Sequence, residues 1–103
     1  MDFKYLCMVL CEGPKGDLVA ATEKYKQTKD EEFAYVQKAY ENGGGILIGR
    51  FGDPTKGAAA IFETQEQAEA FMKDDPLVRV GLVTNYEFLE LRTMADAPAL
   101  ARR

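Results

Sequence analysis

The run Phe3-Lys4-Tyr5-Leu6-Cys7-Met8-Val9-Leu10-Cys11 constrains this chain more than any other feature. Side chains alternate between the faces of a strand. Phe3, Tyr5, Cys7, Val9 and Cys11 therefore share one face, and Leu6, Met8 and Leu10 the other. A strand covered on one side only would alternate apolar with polar residues. This one calls for cover on both faces and a central place in its sheet. Gly13-Pro14-Lys15-Gly16 then breaks it.

The following residues supply the cover. Asp17 can cap a helix carrying Leu18, Ala21 and Tyr25 at i, i+3 and i+7. Thr28-Lys29-Asp30-Glu31 has the pattern of a capping box, and Phe33, Val36 and Tyr40 repeat the stripe. The spacing predicts a short helix near 17–26 and a firmer one near 29–42, with one bent helix as the alternative. Gly43-Gly44-Gly45 offers a left-handed stop. Residues 46–51 read as a second strand, 52–57 as a turn around Asp53-Pro54, and 58–62 as a third strand. Thr64-Gln65-Glu66-Gln67 is a capping box opening a helix to about Asp74, with Ala68, Phe71 and Met72 inward. Asp75-Pro76 joins a good N-cap to a good first helical residue, predicting a short helical turn that ends at Gly81. Residues 82–91 form the last strand.

The order β-α-β-β-α-β is that of the ferredoxin-like arrangement, an α+β fold with an antiparallel sheet and helices on one face. Residues 1–92 make the domain and 93–103 a C-terminal tail. Helices cover one sheet face, yet the first strand is apolar on both. A second copy of the chain is the simplest cover for the other face, which predicts a homodimer.

Composition narrows the chemistry. The chain has 103 residues, the size of one domain. It carries 17 acids against 13 bases, a net charge of −4, which argues against nucleic acid and anionic membrane as partners. It contains no histidine, which removes Ser-His and Cys-His nucleophile pairs and the commonest metal ligand. Cys7 and Cys11 lie about 13 Å apart on a strand, beyond the ~7 Å that a disulfide tolerates. Free, buried thiols suit a reducing compartment, so a cytoplasmic location is expected. Two thiols without histidine make a poor zinc or haem site, and neither metal nor cofactor is expected. The apolar first run is far short of the ~20 residues of a membrane span. It also lacks the basic start and small-residue cleavage site of a signal peptide.

Several segments in order resemble the YCII-related (YciI-like) family. They are Gly45-Ile46-Leu47-Ile48-Gly49-Arg50-Phe51-Gly52-Asp53-Pro54, Gly57-Ala58-Ala59-Ala60-Ile61-Phe62, Glu69-Ala70-Phe71, and Asp75-Pro76-Leu77-Val78-Arg79-Val80-Gly81-Leu82-Val83. The resemblance covers roughly residues 2–92. It implies a ferredoxin-like fold of the dimeric α/β-barrel superfamily, paired through the exposed sheet face, with a small-molecule site built on a histidine and an aspartate. Asp75 matches the aspartate. The histidine has no counterpart; its usual place, counted back without gaps from Asp53-Pro54, falls at Glu32.

Each candidate residue has a structural alternative. Asp75 is either an acid/base group or an N-cap. Glu32 is a substitute proton acceptor, which would need a raised pKa, or a first-turn acid answering a helix dipole. Arg50, at the end of the second strand, is a bidentate clamp for an anionic substrate, or a solvated strand-end charge, or one half of an ion pair with Asp53. Tyr35 lines a pocket, or, like Tyr40 and Tyr86, sits at the core edge with its hydroxyl in water. The expected function is binding of a small anionic or phenolic metabolite, with proton-transfer chemistry such as isomerisation or elimination. A non-catalytic binding or assembly module is the alternative.

Overall fold

The computed structural model describes residues 2–94. Strand β1 (Phe3–Cys11) is followed by helix α1 (Leu18–Asn42), β2 (Gly45–Arg50), β3 (Ala58–Phe62), α2 (Gln65–Asp74), the short α3 (Pro76–Arg79) and β4 (Tyr86–Met94). The four strands form one antiparallel sheet in the order β2-β3-β1-β4, making an α+β architecture. β1 is central, as its two apolar faces require.

Register fixes which residues share a face. Val9 lies opposite Ala60 and Phe88, and Cys7 opposite Phe62. These residues join Ala39 of α1 and Ala68, Phe71 and Met72 of α2 in the core. The other sheet face carries Met8 and Leu10 with Ile61 and Leu89 as cross-strand neighbours, and Leu47 beyond Ile61. Leu47 is 62% exposed and Leu89 40%. β1 pairs with β4 along its whole length, but with β3 only from Cys7 to Cys11. Its first residues run past the core, which leaves Phe3 and Tyr5 exposed despite their apolar surroundings in sequence.

The two helices expected over 17–42 are one. Asp17 caps it by accepting from the amides of Val19 and Ala20. Thr28 does not start a new helix; its hydroxyl donates to the Lys24 carbonyl one turn back, at 2.8 Å, and its side chain is buried. The inward face of α1 runs through Tyr25, Thr28, Glu32, Val36 and Ala39 at unbroken helical spacing. Two of those residues are polar, which disguised the stripe as a boundary. Phe33 consequently faces out, 61% exposed. Gly44, at φ 76, provides the left-handed stop.

α2 opens with the expected capping box between Thr64 and Gln67. α3 opens with Asp75 as N-cap and Pro76 in its first turn. β4 begins at Tyr86 rather than 82, because the amides of Leu82 and Val83 both donate to the Leu77 carbonyl and hold that loop against α3. It extends to Met94, so residues 93 and 94 belong to the sheet and not to a tail; residues 95–103 lie outside the described residues.

Candidate functional site

A cleft of about 560 Å³ opens between the N-terminal half of α1 and the ends of β1, β2 and β3. Its α1 wall presents Leu18, Ala21, Tyr25, Lys29 and Phe33. The facing wall is the β1–α1 loop from Glu12 to Pro14, with Thr55, Gly57, Ala58 and Arg50. Leu77, Leu82 and Val83 close the end. The facing wall depends on a close backbone approach. A Cβ on Gly57, which sits at φ 99, would lie 1.9 Å from the Cys11 carbonyl oxygen, and one on Gly13 would lie 2.0 Å from that of Thr55. Only glycine permits both the left-handed conformation and that contact. Asp53 shapes the same turn, its Oδ1 accepting from the Thr55 amide and hydroxyl.

Arg50 lies opposite Ala58 on the helix-covered face of the sheet. It makes no ion pair with Asp53 among the described contacts. Its guanidinium instead lies over the Tyr25 ring, 3.9 Å from the centroid.

Glu32 and Asp75 meet beside the Leu77 amide. Both are at least nine-tenths buried, as is Thr28 one turn before Glu32. Asp75 Oδ1 accepts from the Leu77 amide at 3.1 Å, the N-cap contact of α3. The Glu32 carboxyl is pushed up to about 9, first by burial and then by the hydrogen bond and negative charge of Asp75; the Leu77 amide pulls the other way. Glu32 Oε2 is buried with no donor reaching it. Two ionised carboxylates offer acceptors only, whereas a proton on Glu32 supplies the donor that joins it to Asp75. The first-turn explanation for Glu32 fails, because the single α1 places it mid-helix, where the dipole has no purchase.

The same acids act on their neighbours. Burial, then Asp75 and Glu32, push the Cys11 thiol up to about 11, which keeps it protonated and unreactive as a nucleophile. Burial, then Asp75, Asp74 and Glu32, push Tyr35 up to about 12. The hydroxyls of Tyr35 and Tyr40 do not end in water. Tyr35 donates to the Phe71 carbonyl at 2.7 Å, and Tyr40 bridges the carbonyl and amide of Ile48.

The candidate residues thus fall in three places. Arg50 is in the cleft. Glu32 and Asp75 are together but do not line it; Leu77, whose amide caps onto Asp75, does. Tyr35 lines a smaller groove of about 260 Å³ with Lys38, Asn42 and Phe71. Sequence reasoning passed over Tyr25, Thr28 and Lys29. Continuing the Leu18-Ala21-Tyr25 spacing through 28, 32, 36 and 39 would have found Thr28 and Glu32 on one face. No group of three or more histidine, cysteine or acidic side chains suited to a metal ion exists among the described residues, and none of their helices is long and apolar enough to cross a membrane. No family model, curated protein or solved structure matches the chain.

Proposed function

We propose that this chain is a small-molecule-binding protein, ferredoxin-like and YCII-related, whose ligand occupies the cleft between α1 and the strand ends. The observation that carries this reading is the cleft itself. Its volume falls in the range of small-molecule sites, its walls are mainly apolar, and few polar groups converge on it, as ligand orientation requires. A ligand screen by thermal unfolding tests it. A ligand that binds only the folded state raises the melting temperature with concentration. Ala21→Phe, which fills the cleft from α1, should abolish that rise. No stabilising ligand, or one that binds the variant equally well, would overturn the reading.

The proposal includes a homodimer joined through the sheet face that bears Leu47, Ile61 and Leu89. An open, largely apolar face supports it. Leu47→Lys should weaken association, and an 11.5 kDa species in dilute solution for the unmodified chain would rule it out. A cytoplasmic location suits two free thiols.

A second reading, an enzyme of proton-transfer type, is favoured by Glu32. A carboxyl held protonated near neutrality beside a second carboxyl is what a general acid requires. The pair does not line the cleft, but Leu77, whose amide donates to Asp75, does, so a reacting group in the cleft would have to come within reach of the pair beside that residue. Asp75→Asn keeps the cap and removes a group that can cycle a proton. If turnover of a cleft ligand is found and survives Asp75→Asn and Glu32→Gln in full, the pair is structural and the protein is a binding module.

A further inference from the structure

We propose that the cleft selects a carboxylate carried on an apolar body, and that Arg50, held over the Tyr25 ring, reads the carboxylate. This deepens the ligand-binding reading and rests on it. The guanidinium carbon lies 3.9 Å over the ring centroid. A cation held over a ring face is attracted by the ring's quadrupole rather than by an acceptor atom, so the contact places the guanidinium without an ion pair. No acidic side chain forms an ion pair with Arg50 among the described residues. Asp53, the nearest acid in sequence, is engaged by Thr55. The planar fork is therefore placed at the cleft, unneutralised, and of the shape that matches two coplanar oxygens.

The rest of the lining agrees in charge. Glu12 is paired with Lys15 and Lys26 with Glu23, whereas Lys29 forms no ion pair among the described residues. The cleft thus faces its ligand with a surplus of positive charge on Arg50 and Lys29. The lining also includes Leu18, Leu77, Leu82 and Val83, whose side chains offer an apolar body contact and no hydrogen bond. A phosphate is the weaker fit. Phosphate sites draw on free amides at a helix N-terminus, and the amides of Val19 and Ala20 at the start of α1 are already bonded to Asp17.

Isothermal titration calorimetry on the full chain tests this with 3-phenylpropionate and octanoate, their primary amides, and phenyl phosphate. The carboxylates should bind about tenfold more tightly than the amides, the equivalent of one charge-assisted hydrogen bond. Arg50→Gln should erase that preference and Arg50→Lys restore only part of it. As a positioning residue, Tyr25 should be replaceable by Phe without loss, while Tyr25→Leu should lower carboxylate affinity several-fold more than amide affinity. Circular dichroism would verify that each variant is folded. Equal affinity for acids and amides, tighter binding of phenyl phosphate, or an Arg50→Gln variant that keeps the preference would each overturn the inference. Binding of the amides without preference would overturn the carboxylate inference and leave the ligand-binding reading intact; binding of neither class would overturn the inference alone, because the ligand-binding reading stands or falls on the thermal-unfolding screen.

Discussion

Glu31 and Glu32 are adjacent on α1, and both reach toward the short turn that begins at Asp75. Glu31 is more than half exposed and meets the guanidinium of Arg79, itself as exposed. Glu32 is buried and meets Asp75, another acid. The first contact joins opposite charges in water, where solvent screens most of their attraction. The second puts like groups where water cannot separate them, so the pair answers by holding a proton. Residue type is the same in both places; the phase of the helix decides which chemistry results. Only the second arrangement can store a proton near neutral pH.

The largest expected effect follows from that difference. Folding raises the Glu32 carboxyl from an ordinary value of 4.5 to about 9, so over that window the folded chain binds a proton that the unfolded chain releases. Stability contributed by this group must therefore fall as pH rises from about 4.5 to about 9 and level off beyond. Denaturant melts across this range should show the decline. Glu32→Gln, which keeps the shape and donates to Asp75 at every pH, should flatten it and stabilise the protein at pH 9 by about 1–3 kcal/mol. A slope that is unchanged in the variant would mean that Glu32 is not the group responsible.

A smaller effect is expected from Asp75. Asp75→Ala removes the N-cap of α3, at a cost of about 1 kcal/mol at pH 5, while Asp75→Asn should cost much less because the amide still caps. Both should also shrink the pH slope, since Glu32 loses the charge that helps to raise it. The smallest effect is expected on the exposed side. Glu31→Gln should leave the melting temperature nearly unmoved and abolish what little salt dependence the Arg79 contact confers. A large loss there would break the comparison, because it would mean that the surface pair, together with the Lys24 bond to the Val80 carbonyl, clamps α3 onto α1.

Much of the fold follows from local rules that act within a few residues. The two-faced β1 had to be central. Thr64 and Gln67 had to cap α2, Asp75 and Pro76 had to open α3, and Asp53 had to shape its turn, because each depends on atoms close by in sequence. Strand alternation put Arg50 on the face of Ile46 and Ile48 but left open whether helices or a second copy covered it; the pairing with Ala58 places it on the helix side. What the sequence left open lies where distant segments meet. Thr28 reads equally well as a helix start or a mid-helix residue, and its burial in the assembled structure goes with the latter. Nothing near Glu32 in sequence reveals that Asp75 lies beside it, since the chain between them passes through two strands and α2. The Tyr25–Arg50 stack, likewise, joins a helix to a strand end across the cleft. Local propensity sets which elements form, but burial and like-charge proximity are properties of the assembled structure, and they alone turn an ordinary helical glutamate into a proton-holding group.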